Sequence, residues 1–248
     1  MKIAVCISQV PDTESNITIS TDSKNLDLDE LDYIINPYDE YALEEALKTK
    51  EIFNGEVIVI SAGADKNKDA LKKALAIGAN KAVHLKTNES FDSLNLAKLL
   101  YEEIKTHQPV LVFFGKQSAD YSNSVTGQIT AQLLNYNLLS NVSNLEISEN
   151  RIIAEREIDG WKEKVSTTFP AVITAEKGLN TPRYPSLKGI MTAKKKPFIE
   201  KVIENTLNCT ERIELKRPKN KSAGKVAVNS DEGINGLISF LQNEVKIL

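Results

Sequence analysis

Only two cysteines, Cys6 and Cys209, occur in the 248 residues, and they lie far apart. No disulfide framework can be built from them, and such scarcity points to a reducing compartment. Histidine is equally sparse, with His84 and His107 too isolated to suggest a metal cluster. No Cys-x-x-Cys, His-Glu-x-x-His or Walker A spacing occurs. No stretch reaches the roughly 18 apolar residues that a bilayer-spanning helix needs, so no membrane insertion is expected. A basic excess is missing too: 31 basic residues against 34 acidic ones give a formal net charge of −3. A nucleic-acid partner held by phosphate neutralisation needs a basic face, so none is expected. Met1 to Ile7 is too short for a signal segment and its cleavage site; it reads as a first strand, and a bacterial-type cytoplasm is the expected location.

What is present is ordinary globular composition, 41% hydrophobic and 26% charged, which excludes disorder for most of the chain. Short apolar runs at Lys2 to Ile7, Val57 to Ser61, Ala82 to Leu85 and Pro109 to Gly115 fit buried parallel strands. Between them lie helical patterns. Ala42, Leu43, Ala46 and Leu47 repeat on one face after Pro37, and Gly55 is expected to end that helix. Ala70, Leu71, Ala74 and Leu75 mark a second, Leu94 to Ile104 a third, and Ile129, Leu133 and Leu134 a fourth. Strands alternating with helices predict an α/β fold with a parallel, doubly wound sheet. The acidic stretch from Pro11 to Asp32, with Asp29 and Glu30, reads as a loop carrying a hairpin at Ile17-Thr18-Ile19.

After about Asn137 the pattern changes. Val142 to Ile147, Arg151 to Ile158 and Val165 to Phe169 alternate like antiparallel strands, and Pro170 to Thr174 looks like one more buried strand. From Asn180 to Lys225 little periodicity is visible, so the segment is expected to be either functional in itself or an arm lying on a partner. The division expected is an α/β domain over 1–190 and an extended C-terminal arm over 191–248, closed by a helix bearing Ile234, Leu237, Ile238 and Leu241.

In an open parallel sheet, ligands bind beyond the carboxyl ends of the strands. The richest such segment runs from Gly115 through Gln117, Asp120, Ser122, Asn123, Ser124 and Val125 to Thr126, and leads into a helix. Free N–H groups at a helix start bind anions, so a nucleotide phosphate and plain helix capping are the two readings here. Nothing signals covalent or acid–base catalysis. Cys6 reads as a small buried hydrophobe, and His107 suits a helix end.

At these residues the chain resembles the beta subunit of electron transfer flavoprotein over nearly its whole length. The matching segments are Ile35 to Ala46, Ser61-Ala62-Gly63, Gly115-Lys116-Gln117 through Thr126-Gly127-Gln128, Arg156 to Gly160, Pro170 to Thr174 and Asn180 to Leu187. The resemblance implies an adenine-nucleotide alpha-hydrolase-like fold and a heterodimer with an alpha subunit that holds most of the FAD. It implies a structural AMP in this chain, near Cys6, Asn36, Pro37, Tyr38, Asp39, Ala62 and Gly115 to Thr126, with Ser124, Val125 and Thr126 at the phosphate. It implies a docking loop from Pro182 to Lys196, with Leu187 as the anchor beside Arg183 and Tyr184. Lys194, Lys195 and Lys196 would steer acidic partners. Glu157 would set how the flavin domain rests on this subunit.

The implied role is an electron carrier, not an enzyme. It takes electrons from acyl-CoA-type dehydrogenases in fatty acid beta-oxidation and passes them to a quinone oxidoreductase or another acceptor. Two alternatives stand beside it. An electron-bifurcating type would hold a second FAD here, but Tyr121 replaces a glycine of that type and is expected to crowd a diphosphate. A stand-alone ATP-binding stress-type domain would not need the arm.

Overall fold

The computed structural model describes residues 1–27, 31–88, 91–204, 208–218, 224 and 226–247. Asp29 and Glu30 of the acidic loop and Lys225 of the arm lie outside them. The elements run β1 (Lys2–Cys6), β2 (Gln9–Pro11), β3 (Thr18–Ile19), β4 (Leu26–Asp27), β5 (Tyr33–Ile35), α1 (Pro37–Phe53), β6 (Glu56–Gly63), α2 (Asn67–Ile77), β7 (Lys81–Lys86), α3 (Ser93–His107), β8 (Leu111–Gly115) and α4 (Thr126–Leu134). They continue as β9 (Asn137–Ile147), β10 (Ile152–Ile158), β11 (Trp161–Thr167), β12 (Ala171–Ala175), α5 (Leu187–Ala193), β13 (Phe198–Val202) and α6 (Asp231–Phe240).

One sheet has the order β11-β10-β9-β12-β8-β1-β6-β7-β13. The pairings from β9 to β13 are parallel, and β10 and β11 add antiparallel strands at one end. Alternate residues of each strand face opposite sides. Ile3 and Val5 of β1 pack with Leu43, Leu47, Leu71 and Leu75 of α1 and α2. Ala4 and Cys6 pack with Leu100, Ile104 and Ala131 of α3 and α4. Both faces are covered, which is why the central strands are apolar runs rather than alternating ones. The doubly wound α/β class read from the sequence is the observed one.

Details differ from expectation. The first helix ends on Asn54, which takes the left-handed conformation at φ 47°, not on Gly55. Asparagine tolerates that conformation better than most residues. Gly55 serves a close approach instead, since a Cβ there would stand 2.8 Å from the Met1 carbonyl oxygen. The β10–β11 hairpin turns on Asp159 and Gly160, both at positive φ (48° and 82°), the geometry of a tight hairpin turn. β9 begins at Asn137, earlier than its alternation indicated; it pairs parallel with β12 first and then antiparallel with β10.

The stretch after Asn180 is less irregular than it reads. It contains α5 and β13, and β13 joins β7 in parallel, with Phe198 opposite Ala82. A boundary at 190 thus falls inside α5, and the chain leaves the sheet only after Val202. α6 carries Ile234, Leu237 and Ile238 partly exposed.

Candidate functional site

The chain runs from β1 outward to β6 and β7, then crosses to β8 on the other side of β1. The β1–β8 gap is therefore the point where the winding reverses, and a crevice opens there beyond the carboxyl ends of the strands. A cleft of about 580 Å³ occupies it, lined by residues after β1, β6 and β8 and by the start of α3. That volume is in the range of small-molecule and cofactor sites.

α2, α3 and α4 begin at the cleft, and their ends differ; α3 is capped by Asp92, whose Oδ1 accepts from Asn95 N at 2.7 Å. At α2, the N–H groups of Asn67, Lys68 and Asp69 are taken by the carbonyls of Ala64, Asp65 and Lys66 at 3.0–3.1 Å. At α4, Val125 caps without a side-chain bond. Among the described residues, the N–H groups of Thr126, Gly127 and Gln128 have no acceptor. Just before them, Ser122 and Ser124 take left-handed conformations (φ 51° and 53°), and Val125 returns to φ −127°, ψ −16°. Alternating handedness turns successive N–H groups to one side and makes an anion-binding concavity. Gly127 lets α4 come close to the sheet, since a Cβ there would stand 2.8 Å from Thr174 Cγ2.

The cleft floor is braced from behind. Asp39, buried at the start of α1, accepts from Ser8 N and Ser8 Oγ, each at 2.7 Å, and from Gly115 N at 3.0 Å. Burial raises its carboxyl from 3.8 to about 6, against the lowering effect of the bonds from Ser8 and Gly115. Asn36 is fully buried; its Nδ2 donates to Gln117 O at 2.8 Å and its Oδ1 accepts from Ala119 N at 3.1 Å. Burial, and then the Asp39 charge, push the Cys6 thiol well up, so it is no thiolate nucleophile.

The expected nucleotide residues divide accordingly. Cys6, Asp39, Ala62, Gly115, Gln117, Asp120, Asn123, Ser124, Val125 and Thr126 line the cleft. Asn36, Pro37, Tyr38 and Ser122 do not; Asn36 stands behind the wall and holds the loop that forms it. Several side chains expected at the nucleotide, Ser124 and Asn123 at its phosphate and Asp120 at a sugar or amide group or simply capping a turn, are engaged elsewhere. Ser124 Oγ donates to Gln117 Oε1 at 2.7 Å, Asn123 Nδ2 donates to Ser93 Oγ at 3.0 Å, and Asp120 Oδ1 accepts Tyr121 N at 2.8 Å. Backbone N–H groups and the Thr126 hydroxyl remain available to an anion.

Other lining residues owe their place to contacts distant in the chain. Ser8 followed the first strand in plain view, but its pairing with Asp39 spans 31 residues. Tyr33 and Lys66 face each other at the cleft, with the ammonium 4.7 Å from the ring centre. The arm also reaches the mouth: Cys209 N and Thr210 N donate to Asp92 Oδ2, and Arg212 Nη2 donates to the Tyr121 hydroxyl at 2.8 Å. No local pattern announces contacts between residues so distant in the chain. Tyr121, expected to crowd a diphosphate, lines the cleft at its rim and is half exposed.

The docking-loop residues also divide. Tyr184 is 89% exposed, Leu187 84% and Met191 73%. Lys194 and Lys195 are exposed, but Lys196 is not a steering charge: its Nζ donates to Leu75 O and Ala79 O, each at 2.7 Å. Burial and the nearby Lys50 hold its pKa below the usual range for lysine. Arg183 is likewise committed, to Glu44 and Glu51 of α1. Glu157 is exposed on β10, opposite Lys162 of β11. Trp161 is 80% exposed beside it on the hairpin.

The chain matches the family model for the electron transfer flavoprotein domain over residues 25–204. It is 34% identical to the electron transfer flavoprotein subunit beta of Bacillus subtilis, covering 100% of both chains. It is 33% identical to the subunit of that name from Bradyrhizobium diazoefficiens, again over 100% of both. With the mitochondrial subunit beta of Arabidopsis thaliana it shares 34% identity over 100% of both.

Proposed function

Since the chain belongs to the electron transfer flavoprotein family as a beta subunit, and so has an alpha subunit as partner and FAD in the complex, we propose that it holds a structural AMP in the cleft and docks electron donors through the exposed Leu187. The observation that carries the nucleotide is the open start of α4 at the winding reversal. Among the described residues, the cleft presents a free N–H cradle at Thr126 to Gln128, while the α2 start is satisfied and the α3 start is capped by Asp92. One cradle suits one phosphate group. The buried Asn36 and Asp39 set the shape of the loops around it and need not touch the ligand.

When bound, chiefly by the alpha subunit, FAD supplies the redox chemistry. This chain's residues bind, orient and recognise. Electrons would come from acyl-CoA-type dehydrogenases and leave to a quinone oxidoreductase or another acceptor. An exposed leucine flanked by Lys188, Lys194 and Lys195 suits a partner with an apolar pocket and an acidic rim. The cytoplasmic, bacterial-type setting belongs to the same reading. The stand-alone stress-type alternative leaves the arm without purpose, whereas the relatives align through it.

One observation favours the bifurcating alternative. Tyr121 is half exposed at the rim with its hydroxyl held by Arg212, which weakens the expectation that its side chain crowds a diphosphate. A nucleotide count separates the two. The heterodimer is purified, denatured, and its released FAD and AMP are quantified by chromatography. One FAD with one AMP is the expected result. Two FAD without AMP would overturn it and make the cleft a flavin site.

A further inference from the structure

α5 has seven residues, none of them buried. So short a helix does not hold itself in water, because one turn of hydrogen bonds does not offset the cost of nucleation. Its order must come from what grips it, and both ends and the middle are gripped. Before it, Arg183 makes a two-pronged pair with Glu44, Nε to Oε2 at 2.8 Å and Nη2 to Oε1 at 2.9 Å. Its Nη1 also reaches Glu51 Oε1 at 2.6 Å. Glu44 is only 6% exposed, so the pair is partly desolvated, which strengthens it. After the helix, Lys196 plugs the two carbonyls at the end of α2. Midway, Gly189 lies so close to the Ala76 carbonyl that any Cβ would overlap it.

We propose that Arg183 and Lys196 are positioning residues that hold the Leu187 helix rigid, so that its apolar side chains stand outward ready to dock. This rests on the docking reading of Leu187. A tethered loop with free ends would fold its leucine and methionine back onto the body, since burial of apolar surface is favourable. Here they stay exposed because the backbone beneath them is fixed at both ends. Fixing the helix beforehand removes the ordering cost from the encounter. If release of one anchor leaves the docking geometry populated a tenth of the time, apparent affinity falls about tenfold.

The test uses the intact heterodimer with an acyl-CoA dehydrogenase in the presence of its acyl-CoA substrate. Arg183→Gln and Lys196→Met are each expected to raise the KM for the carrier about tenfold. Both are expected to speed amide hydrogen exchange across 186–193 and to leave FAD content and kcat unchanged. Arg183→Lys should recover only part of the loss, because an ammonium cannot reproduce the two-pronged pair. Leu187→Ala should raise KM without altering exchange. If Leu187→Ala raises KM while both anchor variants leave KM and exchange at wild-type values, the anchoring role is overturned and docking stands. If Leu187→Ala leaves KM unchanged, docking falls, and the exchange rates still judge the anchors. Loss of FAD or of assembly in both anchor variants would overturn the proposal too, by making them general supports of the body.

Discussion

Asp39 Oδ1 accepts the Gly115 backbone N–H at 3.0 Å, joining the start of α1 to the end of β8 across 76 residues. The other oxygen of the same carboxylate takes Ser8 at the end of β1. One buried side chain thus fixes the two loops that flank the winding reversal.

That carboxyl gives a pH dependence. Its pKa in the folded chain is raised from 3.8 to about 6, chiefly by burial. The folded state therefore holds the proton more tightly than the unfolded chain does. Its contribution to stability is most favourable below about pH 4 and is lost as pH rises through about 6, by about 3 kcal/mol at most. Asp39→Asn cannot titrate, so its melting temperature relative to the native chain should climb between those pH values. Parallel curves for the two would show that Asp39 does not titrate there.

Gly115 admits no side chain. A Cβ would overlap Asp39 Oδ1 and stand 2.7 Å from Tyr38 backbone carbon. Gly115→Ala should destabilise by about 1–3 kcal/mol, as overpacking does, and lower the nucleotide retained per heterodimer. Denaturation with nucleotide quantification reads both, and full retention at native stability would refute the close fit.

Ser124 tests conformation against chemistry. At φ 53° a β-branched residue is strained, whereas glycine is at ease. Ser124→Val should lose nucleotide, and Ser124→Gly should keep most of it despite losing the bond to Gln117. Equal loss in both would assign the role to the hydroxyl instead.

The C-terminal arm should be a substrate for protease when this chain is alone and protected in the heterodimer. Ile213 is 82% exposed and Val226 96%, and α6 shows its apolar face to solvent. Trypsin digestion followed by mass spectrometry of 208–247 checks this. Equal cutting in both states would mean that the alpha subunit does not cover the arm.

The sequence alone determined the central strands of the sheet and the doubly wound class. Apolar runs of strand length between helical repeats admit few arrangements, because right-handed crossovers put helices on both faces. The cleft followed, since its position depends only on where the strands end. Even the residues from Gly115 to Thr126 were legible, from their hydroxyls, amides and glycines ahead of a helix. Tertiary structure decided which groups are left over to bind anything. Asn36 and Ser124 carry side chains suited to a ligand, yet each is committed to a partner that no sequence pattern names. Lys194, Lys195 and Lys196 read as one charged run, but only the third meets the carbonyls that close α2. β13 carries no clear sequence signature because an edge strand needs only one apolar face and its partner β7 lies more than a hundred residues earlier. Periodicity reports local burial; the pairing of polar groups depends on long-range contacts and is settled only when the chain closes on itself.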